Sequence, residues 1–394
     1  MSIIIGSGIT LGAGISALQE IPEDYLWAWG KNDVGQLGLG DTVNRSSPVQ
    51  VGALGTWSQV SGPHIGNFTH AVKTDGTLWA WGDQNVGQLG LGDAVAHSSP
   101  TQVGALTNWT NSLMPAASQR ACYVKSNGQA WLFGNAGYIF NNPFGTAFSS
   151  PVQVSSDKTW AFAACGPNTS WFGITTGGAL WSVCYGNTDG ISGQNNTTNT
   201  SSPAQVGALT NWAGVYPGNA ALIARKTDGT LWSWGKGSGN NRPKAFLGQN
   251  DYFNRSSPTQ IGTLTNWARV STGKYNALAV KTDGTLWTWG YGDLGALGLG
   301  DAIGRSSPVQ VGALTGWSTD ADKNVVPGSP ASIAVKSDGS LWSWGRAYWA
   351  VLGNGTGGAG AANKSSPVQV GTLTTWTKVG ANYNAAFAIA SHAT

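Results

Sequence analysis

The sequence predicts an all-β protein, a seven-bladed propeller of four-stranded blades, on three recurring marks. Ser-Ser-Pro ends at Pro48, Pro100, Pro151, Pro203, Pro258, Pro308 and Pro367. A tryptophan follows nine residues after each of these prolines, at Trp57, Trp109, Trp160, Trp212, Trp267, Trp317 and Trp376. The third mark is a turn and strand, DGTLWAWG at 75–82, DGTLWSWG at 228–235, DGTLWTWG at 283–290 and DGSLWSWG at 338–345, with degenerate forms at 127–134 and 177–186. Self-similarity at a period near 50 residues is the mark of a propeller, solenoid or array. The Gly, Pro and β-branched content excludes helical repeats.

Residues 1–22 stand outside the repeat and read as an arm. Within them Ile3, Ile9 and Ile15 recur in step with glycines at an interval of six. This β-branched, almost uncharged stretch has no helical period and cannot bury its apolar side chains alone. It needs a partner surface, which Ile3, Ile5, Ile9, Leu11, Ile15 and Leu18 would anchor as an added strand. The first basic residue is Lys31, so no secretory signal is expected. The glycine-broken run is too short to span a bilayer, and no membrane insertion is expected.

The propeller occupies 23–394. In each unit VKTDGTLWAW is strand-type sequence broken by Asp-Gly, whose tolerance of positive φ suits a tight hairpin. The stretch after Ser-Ser-Pro and the stretch from the following tryptophan supply two more strands. The first copy of the turn mark is cut to Asp24-Tyr25-Leu26-Trp27, and the last unit ends in WTKVGANYNAAFAIA without its hairpin partner. The two fragments complete each other, so 376–390 is expected to pair with 25–30 and close the ring.

Composition narrows the function. Only 10% of residues are charged and the net charge is +3, which does not suit a nucleic-acid binder. Glutamate occurs only at Glu20 and Glu23, and the aspartates fall mainly at repeated turn positions, so no carboxylate pair for glycoside hydrolysis stands out. His64, His70, His97 and His392 have no spacing suited to a metal or a triad. Cys122, Cys165 and Cys184 are odd in number, lack a CxxC spacing and read as buried free thiols. No catalytic residue, metal or cofactor is expected. Nineteen of the 21 tryptophans follow the repeat, and those two apart in LWxW share one side of a strand, where blade packs on blade.

The glycine-rich WGxNxxGQLGLGD followed by SxP resembles the repeat of the regulator of chromosome condensation family. That resemblance implies a seven-bladed propeller in a family containing a nucleotide exchange factor, inhibitors of β-lactamases and many interaction modules. The family's histidine before the Asp-Gly strand is absent, with Phe68, Asn276 and Ala331 near that place, which removes the support for exchange activity. The leader, mainly GSGITLGAGI, is similar to virion surface proteins of tailed bacteriophages, in which a short arm docks on the particle and a β-domain faces the host.

Two features of the loops between WG and Ser-Ser-Pro bear on binding. Three residues before the prolines stand Arg45, Arg255, Arg305 and Lys364, which either form a basic rim for acidic groups or pair with loop aspartates such as Asp41 and Asp301. Units three, four, five and seven depart from the consensus, where a propeller varies loops without disturbing its blades. Their Tyr138, Phe140, Phe144, Phe246, Tyr252, Phe253, Tyr348 and Trp349 are expected to form one aromatic patch. The expectation is a non-enzymatic binding protein on a virion surface, as a tail fibre, head fibre or decoration. Other virion proteins would hold the arm, and a host-surface glycan or protein would meet the loops. A homo-oligomer is compatible with this, and a soluble cytoplasmic or extracellular interaction module or inhibitor is the alternative.

Overall fold

Asp75 shows why the hairpins form. Its Oδ1 accepts the Thr77 N–H at 2.9 Å and the Thr77 hydroxyl at 2.6 Å, while Gly76 takes a φ of +77°. A Cβ on Gly76 would lie 2.0 Å from the Thr107 carbonyl oxygen, so glycine is required twice over. The same aspartate-to-hydroxyl turn recurs at Asp228–Thr230, Asp283–Thr285 and Asp338–Ser340. Each hydroxyl then accepts the indole N–H of the first strand tryptophan, at 2.8–2.9 Å for Trp79, Trp232, Trp287 and Trp342.

The computed structural model describes residues 24–391 apart from 54, 64–65, 111–118, 141, 143–144, 168, 220, 238–245, 321–324, 328–330 and 356–360. In the leader it adds the backbone of Ile3–Ile5 and Ile9–Leu11, paired antiparallel. The arm side chains named above, and Ile15 and Leu18 entirely, lie outside the described residues. The rest is a ring of seven antiparallel sheets. Blade 2 comprises Trp57–Ser61, Phe68–Lys73, Leu78–Gly82 and His97–Gln102, from the central channel outward. Blades 4 to 7 repeat this over 160–205, 212–260, 267–310 and 317–369. Blade 3 departs: three strands, Arg120–Val124, Ala130–Asn135 and Ala147–Val154, are joined by only an isolated bridge between Trp109 and Lys125.

Blade 1 closes the ring as the two fragments predict. Ala385–Ser391 pairs antiparallel with Asp24–Gly30 from Ser391 opposite Asp24 to Ala385 opposite Gly30. Trp376–Ala381 lies inside that pair and Arg45–Gln50 outside it.

Hydrophobic packing is divided into seven clusters, one between each pair of neighbouring blades. The cluster between blades 1 and 2, for instance, joins Leu26, Ala28 and Phe387 to Trp57, Val60 and Trp81. The second tryptophan of LWxW is fully buried there, and its indole N–H reaches a carbonyl of the preceding blade's loop. Trp81 donates to Gln36 at 3.0 Å, Trp234 to Ile191 at 2.8 Å, Trp289 to Phe246 at 2.9 Å, Trp344 to Ala296 at 3.1 Å and Trp29 to Val351 at 2.8 Å. A second latch runs from the same loops to the next outermost strand, as Gly40 N–H to Ser98 C=O at 2.8 Å and, across the closure, Gly355 to Ser46 at 3.0 Å.

A lysine ahead of the hairpin turn lies over two tryptophan rings of its blade, with Lys73, Lys226 and Lys281 before Asp-Gly and Lys125 before Asn-Gly, at 3.6–4.0 Å from the nearer ring. Lys125, Lys226 and Lys281 are buried, and burial lowers their pKa values. The ring faces, negative at their centres, replace part of the lost hydration.

His70 is buried among the rings of Phe68, Tyr123 and Phe133, all within 5.5 Å. Burial lowers its pKa to about 3, and the Leu89 carbonyl offsets only part of that effect. Above the unfolded value of about 6.5 both states are neutral and no stability is lost. As pH falls below it the unfolded chain takes up the proton first, so the loss begins near 6.5 and continues to about 3. By pH 4.5 it amounts to roughly 2–3 kcal/mol. Denaturant melts at pH 7 and 4.5 are expected to show this gap shrinking in His70→Phe.

Candidate functional site

In an antiparallel four-stranded blade, the connections between third and outermost strands emerge at the same end as those between innermost and second strands. All the glycine-rich loops therefore lie at one end of the ring and the Asp-Gly turns at the other. At the loop end the outer rim carries a repeated device. Asp41 Oδ1 accepts the Val43 N–H at 3.0 Å, and Arg45 donates to the Val43 carbonyl at 2.6 Å and to Asp41 Oδ2 at 2.5 Å. Asp251, Phe253 and Arg255 repeat it, as do Asp301, Ile303 and Arg305. At blade 2, Asp93 takes the Val95 N–H at 3.3 Å and faces His97 Nε2 at 3.1 Å.

In blades 1, 5 and 6 both peptide groups of the residue at the tip are thus held, in blade 2 the Val95 N–H alone, and in all four the apolar side chain points outward. Val43 is 60% exposed, Val95 64%, Ile303 64% and Phe253 73%. The clamp also orders the charges. The Val43 N–H and Arg45 hold the Asp41 carboxyl below its ordinary pKa, and Arg305 followed by the Ile303 N–H do so for Asp301. Exposed ion pairs of this kind contribute about 0–1 kcal/mol, so their main effect is local order. The pairing of Arg45, Arg255 and Arg305 with aspartates favours the structural reading of the basic rim.

The aromatic candidates do not converge on one patch, because the loops that carry them belong to blades spread around the ring. Tyr138 of blade 3 is exposed and lies against Tyr185 of blade 4, ring centroids 4.8 Å apart and the rings tilted by 43°. Tyr252 and Phe253 are exposed on blade 5, whose Asn254 donates to Asp189 of blade 4 at 3.2 Å. Blades 3 to 5 therefore form one connected sector, with Tyr185 a member that the sequence reading missed. Tyr348 and Trp349 lie at the junction of blades 7 and 1, where the Trp349 ring packs on that junction's core and Lys31 sits 4.8 Å from its centre. Phe140 packs on Trp171 at 5.2 Å. Phe246 is a correction: it is 4% exposed, inside the cluster between blades 5 and 6, and recognises nothing outside the protein. Phe144 lies outside the described residues.

Cys122, Cys165 and Cys184 are free and buried. Burial raises the pKa of Cys122 and pushes that of Cys184 up to about 12, which keeps both as unreactive thiols. Among the described residues no group of three metal-ligating side chains occurs, and no helix is long and apolar enough to cross a membrane.

Residues 23–62, 75–116 and 283–321 match the family described as "Regulator of chromosome condensation (RCC1) repeat". The crystal structure of Prp20p from Saccharomyces cerevisiae superposes with a TM-score of 0.77 at 17% identity, covering 95% of this chain and 93% of that one. The fold is an RCC1-like seven-bladed propeller. The matched segments lie in blades 1, 2, 3, 6 and 7 and include three of the four clamps. Among curated proteins, RUG3, a mitochondrial RCC1 domain-containing protein of Arabidopsis thaliana, is 27% identical over 361 residues, 82% of this chain and 77% of RUG3. Human E3 ubiquitin-protein ligase HERC2 is 26% identical over 84% of this chain, a stretch that makes up only 7% of HERC2. The RCC1-like propeller is thus found both as most of a protein and as a small part of a large one.

Proposed function

We propose that this propeller is a non-enzymatic protein-binding module whose contact surface is the outer rim at the loop end. The observation that carries the reading is the clamp, which holds four apolar side chains in the solvent at equivalent places on blades 1, 2, 5 and 6. Fixed apolar tips lose little entropy on binding and bury well in a partner's pockets. The similar Prp20p is described by its binding to Gsp1p and histones, which supports a protein as partner. A photo-crosslinking residue at position 253 is expected to label one defined partner. The same group at Leu106, at the opposite end of the ring, is expected to label none. Equal labelling at both places would refute the reading.

A finer proposal concerns where the module works. The leader sequence supports an arm that docks on a virus particle, leaving the rim to meet a protein or glycan of the host surface. Deleting residues 1–22 is then expected to abolish incorporation into the particle while leaving the melting temperature within about 2 °C, since the ring closes through Asp24–Gly30. Incorporation without the arm would overturn it.

A further inference from the structure

At the mouth of the central channel, on the loop end, the inner loops approach closely through glycine. A Cβ on Gly273 would lie 2.6 Å from the Pro327 carbonyl oxygen, and one on Gly218 would lie 3.1 Å from that of Gly273. On this narrow annulus the seven-fold pattern breaks. Lys274 of blade 6 places Nζ 5.3 Å from the ring centre of Tyr275 and 5.5 Å from that of Tyr383, which belongs to blade 1. Tyr291 meets Tyr275 edge-on at 6.2 Å. Asn219 of blade 5 donates to the Tyr275 hydroxyl at 3.1 Å, and its backbone N–H to the Lys274 carbonyl at 3.2 Å. Asn276, 3% exposed, has its Nδ2 without an acceptor among the described residues.

We propose that this annulus is a binding site for a saccharide bearing a carboxylate, such as a uronic-acid unit. A sugar ring presents C–H groups that pack on tyrosine faces, and its hydroxyls pair with amides and phenols. The carboxylate accounts for Lys274, which forms no ion pair among the described residues. It differs from the lysines of the tryptophan cages, which belong to the repeat and cap their own blades. Blades 1, 5 and 6 supply the groups together, so the site needs the closed ring. It is separate from the outer rim and does not rest on the reading given to that rim.

The test is titration calorimetry of the full chain with tri-galacturonate and with galactotriose as its neutral counterpart. The wild type is expected to bind tri-galacturonate about tenfold more tightly than the neutral sugar, the size of one favourable charge contact. Lys274→Gln is expected to erase that preference while keeping neutral-sugar affinity. Tyr383→Ala is expected to weaken both by about tenfold, with Tyr383→Phe retaining the stacking if the alanine variant fails to fold. Lys364→Gln and Phe253→Ser on the rim are expected to leave both affinities unchanged. No binding of either sugar, binding indifferent to Lys274→Gln, or equal loss in Lys364→Gln would overturn the proposal.

Discussion

Truncation after Thr375 is expected to abolish the cooperative unfolding transition rather than to lower its midpoint. The deletion removes Trp376–Ala381 and Ala385–Ser391, and so strips Asp24–Gly30 of its inner partner. Two junction clusters lose members at once: Trp376, Val379 and Ala388 from that between blades 7 and 1, and Phe387 and Ile389 from that between blades 1 and 2. Burying a large apolar side chain is worth about 1.5–3 kcal/mol, and a domain's whole net stability is about 5–15 kcal/mol. Losing four such residues consumes that margin, before the exposed edges are counted. The complementary variant joins Ser391 to Asp24 through an inserted Asp-Gly turn and opens the chain elsewhere. Since those two residues already face each other, it is expected to keep the wild-type melt in circular dichroism. A truncated chain that still melts in one sharp transition would show the closure to be dispensable.

Trp171→Ala is expected to cost about 3–5 kcal/mol, the range for deleting a buried aromatic side chain. Blade 4 carries Val183 where five other blades carry the second tryptophan, and Trp171 stands directly opposite it on the neighbouring strand. The bulk has moved across the pair: the Trp171 ring fills the junction of blades 3 and 4, edge-on to Trp160 at 4.9 Å and to Phe140 at 5.2 Å. Among the described residues this junction has neither the indole-to-carbonyl latch nor the loop-to-serine latch. It relies instead on packing and on Arg120, which donates across it to the Gly166 carbonyl at 2.9 Å. The double variant Trp171→Ala with Val183→Trp is expected to recover a substantial part of the loss, and their chemical-denaturation free energies to be non-additive. Additive losses would mean that the two positions do not share one space.

The hairpins and blade number were legible because each rests on chemistry local to one repeat, and the closure because the two terminal fragments together complete one repeat. An Asp-Gly turn with a hydroxyl two residues on folds the same way wherever it is written. The binding residues were harder. Phe246 looked like a departure worth recognising, yet its position in the loop serves through its backbone carbonyl, which accepts the Trp289 indole. Gln36, Ile191, Ala296 and Val351 do the same in other blades, so side-chain identity there says little. Tyr185 was missed because it follows the degenerate strand of blade 4, where the repeat offers no register to compare. The clamp was half visible: Asp and Arg four apart invited an ion pair, while the exposed residue between them passed unnoticed.

By itself the sequence determined that this chain forms a closed ring of seven antiparallel blades, because turn chemistry and strand alternation act within a few residues. The tertiary structure alone decided which apolar and aromatic side chains are plugs between blades and which stand free. That depends on the neighbouring blade, about 50 residues away in the chain, and no repeat carries a record of its neighbour. Lys274 and Tyr383 show the same limit at its longest reach, since only closure of the ring brings blades 6 and 1 to one channel mouth.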